Sequence, residues 1–273
     1  MQLPVLDLAG ATLIDTHCHL DMEAYDHDRS EVLERAFALP VSRIVTVGVD
    51  VASSARCVSL ARSDRRIAAT IGVHPHDVGD LDATQYRQLE RLYQDNSPYI
   101  VAWGEIGLDY YRRHSPPDEQ RSHLRRQLDL ADDLNLPVVI HNRDADDDLL
   151  AILREARPLR CGGIMHCFSG DWLLAEQVLD LGLLISIPGV VTFKNSTTLQ
   201  DVVQRVPLSS LVVETDGPYL APQPHRGARN EPALLAHTVA KIAELRLISP
   251  AEVARQTTCN AEKLFHFDRS ERP

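Results

Sequence analysis

Basic residues are in deficit in this sequence. Lys and Arg number 28 against 39 Asp and Glu, for a net charge of −11. The deficit argues against a broad cationic face that would hold nucleic acid by neutralising phosphates along its length. A phosphate-bearing substrate stays open, because bound divalent cations can be the largest charges in a site and reverse its sign. The same acidity serves solubility. Aromatic residues make up 5% of the chain, so platforms for stacking bases must be few. Cysteines are five, an odd number, and no C-x-x-C pair occurs among Cys18, Cys57, Cys161, Cys167 and Cys259. A disulfide framework is not expected, and a reducing cytoplasm is the expected setting. No run of ~18 uninterrupted apolar residues occurs, so no membrane-spanning helix is expected. The opening MQLPVLDLAGATLIDTH lacks a basic stretch and carries Asp7, unlike a secretory signal. No linker, low-complexity tract or repeat divides the chain, so a single domain over residues 1–273 is expected.

What the sequence does contain is an alternation of β-rich and amphipathic stretches. Strands are expected at Thr12–Leu20, Arg43–Val49, Ile67–Val73, Ile100–Leu108, Pro137–Asn142, Gly163–Phe168, Leu183–Pro188 and Leu211–Asp216. Between them lie segments such as Asp28–Leu39, Asp82–Gln94, Pro117–Leu134 and Asp171–Leu181, with apolar positions three to four residues apart. Asp171 reads as an N-cap and Gly182 as the glycine that ends the same helix. Helical stretches Pro232–Leu245 and Pro250–Phe265 follow a proline-rich loop. The strand-like runs are continuous and apolar, as in parallel strands buried on both faces. The pattern predicts an α/β fold, a (β/α)8 TIM-type barrel in one domain, with a doubly wound sheet as the second choice.

Residues able to bind metal fall where such a barrel builds its active site, at the C-terminal ends of strands. His17 and His19 end the first strand two residues apart, so alternation points them the same way. Glu105 ends the fourth strand between apolar neighbours and needs a partner if buried; two cations would provide one, and so would Arg112 or Arg113. His141 and His166 end the fifth and sixth strands, and Asp216 the eighth. Singly, each has an ordinary reading, as a core histidine or as a turn or capping carboxylate. Their shared location argues for a metal site. Imidazole and carboxylate together suit Zn, Mn, Fe, Ni or Mg. Six such ligands, one of them bridging, can hold two divalent ions ~3.5–4 Å apart. Cys18 and Cys167 alternate with these ligands and are expected to point away from them as small packing residues.

With those residues in place, the sequence resembles the TatD family of metal-dependent deoxyribonucleases, among the amidohydrolase-like barrels. The resemblance runs from Asp15 to about Phe265. It rests on DTHCHLD (15–21), GVHPH (72–76), GEIGLDYY (104–111), HNRDA (141–145), MHCFSG (165–170), ETDGPYLAP (214–222) and HRGARNEP (225–232). It implies one metal on His17, His19, Glu105 and Asp216 and a second on Glu105, His141 and His166. It also implies hydrolysis of phosphodiester bonds in DNA, commonly as a 3′-to-5′ exonuclease. The last stretch often reads H-R-G-K-R-N in the family, whereas this chain has Ala228 in place of the lysine, which weakens that loop as a phosphate site.

The expected chemistry is attack on phosphorus by a water held between two cations, with Asp216 as the base that orients it. His74, just past the third strand, is a candidate contact to the scissile phosphate, or else a loop histidine bonded to the backbone. Arg143, Lys194, Arg226 and Arg229 are further candidate phosphate contacts. Glu214, on the face of Asp216, is a candidate to orient a ligand histidine or to form a structural salt bridge. The expected partner is DNA, at strand ends or as single strands, with no membrane; the oligomeric state is open and a monomer is compatible with the sequence. Two alternatives stand beside this reading. One is a two-metal hydrolase of a small amide, lactone or phosphate ester; the other is a metal-binding barrel with a non-catalytic role.

Overall fold

The computed structural model describes residues 4, 6–156 and 159–267. Residues 1–3, 5, 157–158 and 268–273, which the single-domain expectation and the reading of the opening stretch also take in, lie outside them. Eight parallel strands run in sequence order: β1 (Leu13–Cys18), β2 (Val41–Thr46), β3 (Ile67–Ile71), β4 (Ile100–Asp109), β5 (Val138–Arg143), β6 (Gly163–Met165), β7 (Leu183–Ile187) and β8 (Leu211–Val213). Helices α1 (Arg29–Ala38), α2 (Val51–Ser63), α3 (Ala83–Asn96), α4 (Pro117–Asp133), α5 (Asp146–Glu155), α6 (Trp172–Asp180) and α7 (Thr197–Arg205) connect them. Helices α8 (Leu235–Arg246) and α9 (Pro250–Phe265) follow β8. The expected (β/α)8 barrel is the fold. No helix among the described residues is long and apolar enough to cross a membrane.

The barrel closes between β1 and the segment after β8. A parallel bridge joins Cys18 to Gly217, the Asp216 N–H donates to the His17 carbonyl (2.9 Å), and the His19 N–H donates to the Gly217 carbonyl (2.7 Å). The expected strands ending at Phe168 and Asp216 are therefore too long. Regular pairing stops at Met165 and Val213, and His166 and Asp216 are set on the loops just beyond. Helix signals were legible where caps are: Asp171 accepts from the Leu174 N–H (3.0 Å), and Gly182 follows α6 with φ +80°, a conformation suited to glycine.

Two apolar layers follow from the two faces of the strands. Ile14, Val45, Val47, Val101, Val139, Ile164 and Val212 cluster in the barrel interior with Phe265 and Phe267. Ile44, Ile71, Trp103, Ile106, Ile140 and Ile185 belong to the layer between strands and helices. Phe265 and Phe267 thus pack against the interior from the end where the strands begin. The interior turns polar toward the other end, where Thr16 Oγ1 faces Ser186 Oγ at 3.2 Å and the imidazoles begin. Gly107 lets β4 lie close on β5, since a Cβ there would overlap the His141 carbonyl oxygen.

Candidate metal centre

Two interruptions in the strand ladders decide which side chains reach the mouth. The β1–β2 register shifts between Asp15 and Cys18, and the β4–β5 register shifts between Trp103 and Ile106. Irregularities of this kind re-aim side chains. Thr16 and His17, although consecutive, both serve the interior, and Glu105 comes inward although Trp103, two residues earlier, packs outward. His141 and His166 need no such device, because Val139 and Ile164, two residues before each, already face inward.

The result is a buried carboxylate surrounded by imidazoles. Glu105 is 3% exposed. Its Oε2 lies 3.3 Å from His17 Nε2 and 3.9 Å from His19 Nε2. Its Oε1 lies 2.8 Å from His141 Nδ1, 2.8 Å from His166 Nε2 and 3.4 Å from His74 Nε2. The two oxygens therefore face two different sets of nitrogens. Neither Arg112 nor Arg113 is the partner: Arg113 donates to the Tyr110 carbonyl and Arg112 lies over the Tyr111 ring. Asp216 completes the first set, with Oδ1 3.5 Å from His19 Nε2 and 3.8 Å from His17 Nε2, while His17 Nε2 and His19 Nε2 are 3.3 Å apart. In the second set His141 Nδ1 and His166 Nε2 are also 3.3 Å apart.

The 3.3 and 3.5 Å spacings fit a metal, and the 2.8 Å contacts of Glu105 Oε1 with His141 and His166 are hydrogen-bond lengths. Donors ~2.0–2.2 Å from a tetrahedral ion lie about 3.3–3.6 Å from one another. Three overlapping groups meet the weaker condition that all donor atoms lie within 4.8 Å: His17, Glu105 and His166; His17, His19 and Asp216; His74, Glu105 and His141. The donor set holds nitrogen and oxygen only, which suits the borderline and harder divalent cations.

Electrostatics describe the same cluster. Burial alone would push the Glu105 carboxyl up, but His166, His74 and His17 and the hydrogen bond from His141 hold it well below the usual range. Burial works against a charged His166, yet Glu105 and Glu214 raise its pKa well above the ordinary value. His74 is lowered to about 3, first by burial and then by His141, so its imidazole is neutral. Its Nδ1 accepts the His76 N–H at 3.2 Å. A neutral imidazole with one accepting nitrogen carries its proton on the other, so His74 Nε2 is a donor and has no lone pair for a metal.

The remaining candidates separate. Glu214 is fully buried; its Oε1 accepts the Cys167 N–H (2.6 Å) and lies 3.6 Å from His166 Nδ1, and its Oε2 accepts from Ser186 (2.6 Å). It faces the outer nitrogen of His166 and not an arginine or lysine. Arg143 lies over the exposed Tyr111 ring, 4.1 Å from its centroid, two residues past His141. Arg226 lies over Phe193 at 4.6 Å, and Lys194 is exposed just beyond Phe193. Arg229 is drawn away from the cluster: it grips Asp28 with two hydrogen bonds of 2.7 and 2.6 Å and donates to the Ala24 carbonyl. Cys18 turns away from the ligands, as expected, toward Tyr25 and the Gly217 carbonyl. Cys167 does not. Its φ of +45° breaks the alternation on which the expectation stood, and its thiol interacts with Asp216.

Asp109 was not singled out from the sequence. It is 1% exposed, its Oδ2 is 2.7 Å from His76 Nε2 and 3.4 Å from His141 Nε2, and its Oδ1 accepts the N–H groups of Tyr111 and Arg112. The signal was present, an acidic residue at the very end of an apolar strand.

The sequence profile described as "TatD related DNase" matches residues 14–266. The chain belongs to the TatD family. The uncharacterized metal-dependent hydrolase YabD of Bacillus subtilis (strain 168) is 42% identical over 256 residues, covering 94% of this chain and all of that one. The 3′-5′ ssDNA/RNA exonuclease TatD of Erwinia billingiae (strain Eb661) is 36% identical over 261 residues, covering 93% of this chain and 99% of that one. The crystal structure of YjjV, a TatD homologue from Escherichia coli K12, superposes with a TM-score of 0.89 at 32% identity, covering 94% of this chain and 99% of the other. The TatD fold is thus shared along nearly the whole chain.

Proposed function

We propose that this TatD-family protein is a metal-dependent hydrolase that cleaves phosphodiester bonds in DNA, working from strand ends in the 3′-to-5′ direction. The observation that carries the reading is the division of Glu105, whose two oxygens face two separate sets of donors. His17, His19, Asp216 and Glu105 Oε2 would hold one divalent cation, and His141, His166 and Glu105 Oε1 a second; zinc, manganese, magnesium, nickel and iron all suit the donors. Bound there, two such cations supply Lewis acidity toward a phosphate oxygen, lower the pKa of a water, and give a net positive site around two carboxylates. The nuclease names of the family and of the Erwinia relative support the choice of substrate.

The chain's own residues divide the remaining work. Asp216, 7% exposed at the mouth, orients the attacking water and takes its proton. His74 presents an Nε2–H beside Glu105, placed to donate to a non-bridging oxygen of the scissile phosphate as charge builds there. Glu214 and Asp109 lie 3.6 and 3.4 Å from the outer nitrogens of His166 and His141, where their charge favours a proton on those nitrogens and leaves the inner ones free to face the cluster. Arg143, and more distantly Lys194 and Arg226, meet the flanking phosphates; Arg229, engaged by Asp28, does not.

The test is Glu105→Ala, with metal content and cleavage of a single-stranded oligonucleotide measured on the same sample. Loss of both is expected. A variant that keeps two metals and full activity would overturn the bridging role, and a metal-replete wild type inert on oligonucleotides would overturn the nuclease reading.

A further inference from the structure

The chain has 7 tyrosines, 5 phenylalanines and 2 tryptophans. Among the described residues only two of these rings are exposed, Tyr111 at 59% and Tyr219 at 50%. Both stand at the barrel mouth. Tyr111 follows β4 and Tyr219 follows β8, and in a closed barrel of eight strands in sequential order those two strands are opposite one another. The histidine cluster lies between them. The Tyr219 ring stands edge-on to His19, with centroids 6.1 Å apart, beside the first set of donors. Tyr111 is tied to the second set through Asp109, which accepts the Tyr111 N–H on Oδ1 (3.0 Å) and reaches His141 with Oδ2.

Both backbones are pinned. The fully buried Asn230 donates to the Tyr219 carbonyl and to the Thr215 carbonyl, each at 2.7 Å. Arg113 donates to the Tyr110 carbonyl at 2.7 Å. The rings are exposed on fixed supports, which suits a binding platform. Arg143 lies over the Tyr111 ring, 4.1 Å from its centroid, so a base would stack on the ring's other face with a cation close by for its phosphate.

We propose that Tyr111 and Tyr219 are stacking platforms for two unpaired nucleobases of single-stranded DNA, splayed to opposite sides of the mouth with the scissile phosphate between them. The inference rests on the nuclease reading and assigns two base contacts to it, suited to unpaired bases because a paired base inside a duplex keeps its faces covered by its neighbours. Base–aromatic stacking tolerates any sequence, since every base has a π-face. The scarcity of aromatic residues is then no obstacle, for one ring on each side is enough.

The test uses the metal-loaded full-length protein and its Tyr111→Leu, Tyr219→Leu, Tyr111→Phe and Tyr219→Phe variants. The substrate is a single-stranded oligonucleotide, intact or with abasic tetrahydrofuran residues flanking the cleaved bond. Each Leu variant is expected to keep its metal and lose about tenfold in kcat/KM on the intact strand, while each Phe variant stays near wild type. The abasic strand should cost the wild type about as much and cost the Leu variants little. Leu variants that cleave the intact strand at the wild-type rate, or a wild type indifferent to the abasic residues, would overturn the stacking role alone. Should a Leu variant lose metal, the wild-type response to the abasic strand decides. A wild type inert on every strand overturns the nuclease reading, and this inference with it.

Discussion

Asp109 Oδ2 stands 3.4 Å from Nε2 of His141, on the side of the ring away from Glu105, which His141 meets through Nδ1 2.8 Å away. The carboxylate is itself held, by the N–H groups of Tyr111 and Arg112 and by His76. A ligand histidine oriented in this way keeps its tautomer and its aim, and loss of the orienting group weakens metal binding by ~10–100-fold. Asp109→Asn is therefore expected to lower affinity for one of two metals by that factor and to leave the other nearly unchanged. Metal titration followed by calorimetry would show one weakened step; two steps equal to wild type would remove Asp109 from this role.

His74 gives a second prediction. Its Nδ1 takes the His76 N–H, so its Nε2 carries the proton and points at Glu105 Oε1, 3.4 Å away. A donor that can turn from Glu105 to charge developing on the bound phosphate is worth ~10²–10³ in kcat when removed. His74→Ala should show a fall on that scale with both metals retained, and His74→Asn, which keeps an N–H donor, should recover part of it. A His74→Ala protein that loses a metal would make the residue a ligand, and unchanged kcat would remove it from the chemistry.

The places where the sequence was legible share one physical cause. Apolar β-branched runs set the eight strands, and polar residues at their C-terminal ends have nothing to do in a parallel barrel unless the mouth uses them. His141 and His166 follow that rule by simple alternation. His17 and Glu105 do not, because each depends on a register shift, in β1 and β4, that leaves no mark in the amino-acid pattern. The same blindness placed Cys167 on the wrong side, since its φ of +45° is a property of the closed barrel rather than of the residue. The engagement of Arg229 is hidden in the sequence for another reason. Its partner Asp28 is 201 positions away in sequence, and only the folded chain brings them together. The extra length expected for β6 and β8 arose because the His166 and Asp216 N–H groups still bond to the neighbouring strand, at 3.0 and 2.9 Å, after regular pairing has ended.

Asp216 is held on a different footing from the histidines. Its φ is +58°, an uncommon value for a residue with a side chain, and the Tyr219 N–H closes a turn onto its carbonyl. The backbone therefore sets the carboxylate over His17 and His19 independently of any metal. Asp216→Asn preserves that geometry and one donor oxygen but removes the proton acceptor. The metal content is expected to stay near wild type while turnover falls by ~10² or more. Metal analysis with single-turnover cleavage would check both halves; full turnover in the Asn variant would assign the base elsewhere.

The charge state of the cluster makes the effect of metal depend on pH. Burial disfavours charged His166, but Glu105 and Glu214 raise its pKa well above that of an unfolded histidine, ~6.5. In the metal-free protein this pairing contributes stability that is fully present below ~6.5 and is lost as pH rises through the raised value. Glu105 is held low by the same histidines, so its own contribution is present above ~4.5 and lost only in acid. A metal reverses the trend around neutrality, because it binds the neutral imidazole and must displace the proton from His166. The melting temperature of metal-free protein should therefore fall between pH 6 and 8, and the increase on adding manganese or zinc should grow over the same interval. Calorimetric melting with chelator and with metal at three pH values would measure both slopes, and titration in buffers of different ionisation enthalpy would count the protons released. A metal-induced increase that is flat with pH, with no proton release, would mean that His166 is not displaced by metal and is not a ligand.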